Sequence, residues 1–180
     1  MKKAFYTLFI AALLLAGCSK PSPEKYLSTA FLNANLLHGF ASRLVNDELS
    51  QPSVKFVEGK TDTYEKFTRI ETINLKIESA ENALKHINNL PVTEDSKAML
   101  EASKELFGFV IPIYKKEYTE LAKLYDSNTD TARINTLSHT IERSYGSRFL
   151  QLHEKLESAG MAYAAKHNIK VMSVQTSPSH

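Results

Sequence analysis

Apolar residues recur every three or four positions along most of this chain, and that spacing predicts helices almost throughout. The cleanest seam is Ile70, Ile73, Ile77, Ala80, Leu84 and Ile87, a heptad pattern. It predicts a helix from about Thr63 to Asn89, capped by Thr61, Asp62 or Thr63 and stopped by Pro91. An earlier helix is predicted from about Glu24 to Leu49 on the stripe Leu27, Ala30, Phe31, Ala34, Leu37, Ala41, Leu44 and Val45, with Pro52 beyond its end. A third begins at the Thr93 cap, places Asp95 in its first turn where the macrodipole favours acid, and runs to about Tyr125. Its inward set is Leu100, Leu106, Phe107, Val110, Tyr114, Tyr118 and Leu121. A fourth runs from about Thr131 to His167 and faces inward with Ile134, Leu137, Ile141, Tyr145, Phe149, Leu152, Leu156, Ala159 and Tyr163.

Short loops between the second, third and fourth helices predict antiparallel neighbours. The expected fold class is therefore all-α, an up-down four-helix bundle with a kinked third helix. The kink is expected at Pro112, which cannot donate to the Gly108 carbonyl. Val54-Lys55-Phe56-Val57 is the best strand candidate, and the pattern offers it no partner.

The third helix also carries an unusual apolar block, Leu106-Phe107-Gly108-Phe109-Val110-Ile111-Pro112-Ile113-Tyr114. On a helical wheel Val110 points at the core, Gly108 and Pro112 fall nearly opposite, and Phe109 and Ile111 flank it. A bundle helix usually keeps its outer face polar. Three explanations fit: the long loop after the first helix folds back with Val54, Phe56 and Val57 as a cover, the block contacts a partner or a second copy, or the kink opens a ligand gap. Phe107, Phe109, Ile111 and Ile113 form the candidate interaction patch.

The first eighteen residues have a different character. Lys2 and Lys3 precede an uncharged, mostly apolar run from Ala4 to Ala16. That run is too short for a bilayer-spanning helix of ~20 residues, and it has the form of an export signal. It ends in Leu15-Ala16-Gly17-Cys18, and Cys18 is the sole cysteine. This motif resembles the lipobox of bacterial lipoproteins. The resemblance implies cleavage between Gly17 and Cys18, diacylglycerol on the Cys18 sulfur and acylation of the new amine. It also implies an outer-membrane location in a Gram-negative cell, because Ser19 stands where Asp would signal inner-membrane retention. The rest of the chain is similar in general plan to small helical surface lipoproteins, a likeness that carries no activity.

The organisation expected is a signal peptide at 1–17, a lipidated tether at 18–23 with Pro21 and Pro23, a helical domain at 24–168 and a flexible tail at 169–180. Removing 17 residues from 180 leaves 163, enough for one real core. The formal charge of +2 belongs to the precursor. Without Lys2 and Lys3 the mature chain has as many basic as acidic residues, so nothing argues for nucleic acid. No disulfide can form within a chain that has one cysteine, so the fold stands on its apolar core.

Candidate chemistry is sparse. His38 falls on the stripe of the first helix and His153 beside that of the fourth, each 14 residues from the same expected bundle end. Both would lie roughly 20 Å along the bundle. They could face each other to bind a metal or cap a haem, or they are boundary histidines satisfied by hydrogen bonds. Transition-metal sites usually take three or four protein ligands. The sequence has no Glu-x-x-His, Cys-x-x-Cys-His, His-Glu-x-x-His, Gly-x-Ser-x-Gly or Gly-rich phosphate loop. His139 with Glu142, and Glu142, Arg143 and Arg148 around Gly146, fit ordinary surface ion pairs. The expectation is a protein that binds rather than catalyses. It needs no cofactor, its partners are a bilayer through acylated Cys18 and another envelope protein or itself, and the alternative is a small-molecule, metal or haem binder near His38 and His153.

Overall fold

A computed structural model describes residues 20–60, 62–127 and 130–171. Gly17, Cys18 and the export signal lie outside these residues, as do Thr61 and the segment 172–180. The described chain is mostly helical, as expected, with one small sheet.

The first predicted helix is three pieces. Helix α1, Pro23–Ala30, starts with Pro23 in its first turn, where a missing N–H costs nothing, and Ser22 caps it by accepting from the Lys25 N–H. A 3-10 segment follows, Leu32–Leu37. Helix α2, Arg43–Ser50, begins after a sharp break. At the break Gly39 has φ +80° and Ala41 has φ +48°, a left-handed conformation uncommon for a residue with a Cβ. A continuous helix would face Leu44 the same way as Leu37, seven residues earlier. Instead Leu37 is buried and Leu44 is exposed. What holds the break is tertiary: the Ala41 N–H donates to the Tyr118 hydroxyl at 2.9 Å. Between the two left-handed residues Phe40 drops into a nest of rings, 5.0 Å from Phe149, 5.3 Å from Tyr114 and 5.7 Å from Tyr118 by centroid.

The second correction concerns the start of the next helix. Residues expected to open it form a strand. Strand β1, Ser53–Phe56, pairs antiparallel with β2, Tyr64–Phe67, placing Phe56 opposite Tyr64 and Val54 opposite Lys66. The lone strand candidate therefore has a partner. Gly59, at φ +75°, turns the connection, and the Lys60 N–H donates to the Val57 carbonyl at 3.0 Å, the pattern of a turn with glycine at its third position. Helix α3, Arg69–Asn88, starts after Thr68 in a capping box. The Glu71 N–H donates to the Thr68 hydroxyl, and the Glu71 carboxylate accepts from the Thr68 N–H at 2.8 Å. Its buried residues include Ile73, Ala80 and Ile87 of the predicted seam, joined by Ala83.

Lys55 and the Thr68 groups hold the Glu71 carboxyl far below its ordinary value of 4.5, at about 2. A depressed carboxyl stabilises the fold above the ordinary value and loses that contribution as pH falls through the depressed one. An NMR titration is thus expected to give Glu71 a midpoint near 2, and Lys55→Gln should move it upward. A Glu71 midpoint at the ordinary value would mean that the cap and ion pair do not form in solution.

Helix α4, Lys97–Ile113, carries Pro112 within it, and a π turn, Tyr114–Tyr118, follows at once. Helix α5, Thr119–Asp126, completes the third rod. A single-turn π segment is a common place for an inserted residue to be absorbed, and here it leaves Tyr114 and Tyr118 both buried. Helix α6, Thr131–Lys166, agrees with the prediction to within a residue and is capped by Asp130 accepting from the Ala132 N–H. Its end is a Schellman turn: Asn168 has φ +55°, its N–H donates to the Ala165 carbonyl, and the Ile169 N–H donates to the Ala164 carbonyl at 2.9 Å. Ile169 and Val171 pack partly against the core. Both were expected in the flexible tail from 169, and from 172 onward that segment lies outside the described residues.

Contacts between rod ends define the arrangement. At one end the Tyr26 hydroxyl donates to the Pro91 carbonyl at 2.8 Å, Tyr26 and Tyr163 lie 6.2 Å apart, and Lys166 pairs with Asp95. At the other end the Arg69 side chain donates to the Leu49 carbonyl, Asp126 accepts from the Arg69 and Ile70 N–H groups, and the Tyr125 hydroxyl donates to Asn46. The first end holds the start of α1, the 89–96 loop and the close of α6. The second holds the hairpin and the start of α6.

Candidate interaction surface

The predicted patch on α4 is not a surface. Phe107 is fully buried, and Ile111 and Ile113 are each 8% exposed. Phe109 is half-buried, packed edge-on against Phe40 at 6.1 Å and Tyr145 at 6.2 Å. The reason is position. Helix α4 packs against α6, against α3 and against the first rod, so its apolar circumference is used on several sides. Within the block only Gly108 and Pro112 face solvent, where the wheel places them. Nor does the 51–67 segment cover the block, because Val54 and Phe56 point to solvent.

The histidine pair also fails as an interior site. His38 is exposed at the end of the 3-10 segment, because the break in the first rod removes the register that would have turned it inward. His153 is half-buried with its ring 5.9 Å from Phe149. Among the described residues no group of three or more His, Cys, Asp or Glu side chains is placed to hold a metal ion. The Tyr114 and Tyr118 hydroxyls sit in the ring nest, and burial pushes both well above the ordinary tyrosine range. They are protonated at any physiological pH. Tyr118 is used as an acceptor, whereas the Tyr114 hydroxyl has no hydrogen-bond partner among the described residues.

The surface that does stand out is the outer face of the hairpin. Residues opposite each other in an antiparallel pair point to the same side, so Val54, Phe56, Tyr64 and Lys66 share one face. On it Val54 is 64% exposed, Phe56 61% and Tyr64 57%, and the two rings lie 4.6 Å apart by centroid, tilted by 39°. The opposite face is tied to the body through Lys55, which bonds Glu71 at 2.6 Å, and through half-buried Val57 and Phe67. Three large apolar side chains thus lie side by side on an exposed sheet face, outside the core. An open groove of about 420 Å³ lies near the same end, lined by Leu124, Leu137, Arg133, Glu120, Thr136 and Thr140. Sequence reasoning missed the hairpin. Its signals are present: Val54 and Phe56 alternate with Lys55, Gly59 follows, and Tyr64 to Phe67 supplies the second short segment.

No helix among the described residues is long and apolar enough to cross a membrane. Comparison with protein-family models, curated proteins and solved structures finds no match to this chain.

Proposed function

We propose that this chain is a bacterial envelope lipoprotein, anchored by acyl chains on Cys18 after removal of residues 1–17, whose helical domain works by contacting another envelope protein or a second copy of itself. The observation that carries the reading is Leu15-Ala16-Gly17-Cys18 closing a short apolar run behind two lysines. Ser19 favours the outer membrane if the cell is Gram-negative. The antiparallel end contacts support an up-down four-helix bundle with a broken first rod. The exposed Val54, Phe56 and Tyr64 face supports contact with a partner, and the reading assigns no catalysis and no cofactor.

Metabolic labelling with a fatty-acid probe tests the anchor. The wild-type chain is expected to take up label and fractionate with membranes, and Cys18→Ala to do neither. An unlabelled wild-type chain, or a Cys18→Ala variant still held in the membrane fraction, rejects the anchor. A photo-crosslinking residue at position 56 tests the contact, with position 75, exposed on α3, as control. Adducts are expected from 56, lost on Tyr64→Asp, and none from 75. Equal yields from both positions reject the hairpin as the contact.

A further inference from the structure

We infer that the hairpin takes an extended strand of another protein along the free edge of β2, through backbone hydrogen bonds to Tyr64 and Lys66. The inference rests on the contact proposed above and names its chemistry. The register fixes which backbone groups are free. The Val57 N–H donates to the Thr63 carbonyl at 2.9 Å, so that pair is a hydrogen-bonded one. In an antiparallel ladder such pairs alternate with pairs that exchange no bonds. Lys55 with Glu65 and Ser53 with Phe67 therefore bond each other, whereas Phe56 with Tyr64 and Val54 with Lys66 do not. The 4.6 Å between the Phe56 and Tyr64 rings fits a close, unbonded pair. The N–H and C=O groups of Tyr64 and Lys66 hence point away from β1, and among the described residues no hydrogen bond outside the sheet engages them. Such an edge is a template for another chain. Thr63, Tyr64, Glu65 and Lys66 are all exposed, so the edge is open. The β1 edge is less so: Lys55 is half-buried, and Pro52, just before the strand, has no N–H to give.

A strand edge can be met by a second copy or by a different chain, and charge separates the two. Two β2 strands related by a two-fold axis pair antiparallel about one residue. Centred on Glu65, the register that bonds both Tyr64 and Lys66, the two Glu65 carboxylates lie directly opposite. Centred on Lys66, two ammonium groups do. Like charges so placed are destabilising, and Lys55, which Glu65 shares with Glu71, offsets the first case only in part. Centred on Tyr64, Lys66 meets Asp62, which lies outside the strand. Joining β2 to the β1 of a second copy leaves a free edge at each end and does not close. A different chain escapes these limits. It continues the two rows of the outer face, Phe56–Tyr64 and Val54–Lys66, with an apolar side chain beside Tyr64 and a carboxylate beside Lys66, which has no ion pair among the described residues. The occupant is thus an extended segment with an apolar and an acidic residue two positions apart. Strand addition of this kind draws affinity from main-chain bonds and specificity from alternate side chains.

The test places a photo-crosslinking aromatic residue at position 64 of the full chain in cells and identifies the adducts by mass spectrometry. They are expected to carry a peptide of another protein. Lys66→Pro removes one outward N–H and none of the hairpin's own bonds, and is expected to lower the yield about tenfold, as for one backbone bond lost with its partner left unsatisfied. Lys66→Thr keeps that N–H and suits a strand, so it is expected to lower the yield less. Val54→Pro makes the same change on the β1 edge and is expected to leave the yield unchanged. Ring contacts between Phe56 and Tyr64, measured by NMR with Tyr64 in place, check that each proline variant keeps the hairpin. Where Lys66→Pro loses it, hydrogen exchange decides: the Lys66 amide is expected to exchange more slowly in the purified adduct than in the free chain. Equal yields from Lys66→Pro and the unsubstituted edge, a Lys66 amide unprotected in the adduct, or a loss confined to Val54→Pro overturns strand addition at β2 while the contact stands. A second copy of this chain in the adducts overturns the partner assigned. Absence of adducts from both positions 56 and 64 rejects the contact itself.

Discussion

Phe40→Ala is expected to cost about 3–5 kcal/mol of stability, the range for removing a large buried aromatic. Phe40 is 2% exposed and lies among Phe109, Tyr114, Tyr118 and Phe149. The loss combines the transfer free energy of the ring with the cavity left behind, and the second term depends on how far the site can collapse. It can collapse little. Gly39 and Ala41 hold the flanking backbone in left-handed conformations, and the Ala41 N–H is fixed on Tyr118. The four surrounding rings come from α4, the π turn and α6, so closing the gap would require shifting whole rods. Equilibrium urea unfolding followed by circular dichroism checks this, as a lower midpoint at unchanged slope. Phe56→Ala is the control. Its ring faces solvent, and the expected change is within about 0.5 kcal/mol. If both variants unfold together, the ring nest is not part of the cooperative core.

How much of this is legible in sequence follows from which contacts decide each element. Helix α6 is readable because its period is unbroken over 36 residues and Asp130 offers a cap. The α3 seam is readable for the same reason. The break in the first rod is not, because the apolar spacing runs straight through it. Phe40, Ala41 and Leu37 all suit a continuous stripe, and what breaks the helix is a hydroxyl 77 positions away at Tyr118. The hairpin is hidden for a local reason. Tyr64, Phe67 and Ile70 are spaced by three, so they extend the α3 pattern backward, and strands of four residues carry too little alternation to outweigh it. The apolar block on α4 is legible as unusual, but periodicity cannot count a helix's neighbours. A helix packed on several sides and a helix with an exposed patch have the same sequence pattern. The histidine pair fails with the first rod, since it depends on that rod's register.

The two ends of the molecule divide their chemistry in a way that supports the binding reading. The end that holds the start of α1 is tied by polar and ionic contacts, among them Lys166 with Asp95, whose carboxyl Lys166 and His167 hold below its ordinary range. The far end exposes Val54, Phe56 and Tyr64.

Asp126→Ala is expected to cost about 2–4 kcal/mol, more than the ~1 kcal/mol typical of losing a single helix cap. Asp126 ends α5 but caps α3: its two carboxylate oxygens accept from the Arg69 N–H at 3.0 Å and the Ile70 N–H at 3.1 Å, and Arg69 Nη1 stands 3.8 Å away. Both side chains are mostly shielded from water, so the screening that makes surface pairs weak applies only in part. Removing the carboxylate leaves two helix N–H groups without a partner and a sheltered guanidinium without its counter-ion. The penalty for such orphaned groups exceeds the net worth of the bonds themselves. Thr68 and Glu71 still form their own capping box, so α3 should persist while its tie to the third rod is lost. Asp126→Asn keeps one acceptor and the shape but not the charge, and is expected to fall between the alanine variant and the wild type. Urea unfolding gives the cost, and amide hydrogen exchange locates it: Arg69 and Ile70 should lose protection in Asp126→Ala while Ile87, at the other end of α3, keeps it. A variant as stable as the wild type, with those two amides still protected, would show that the hairpin end is held together without this carboxylate.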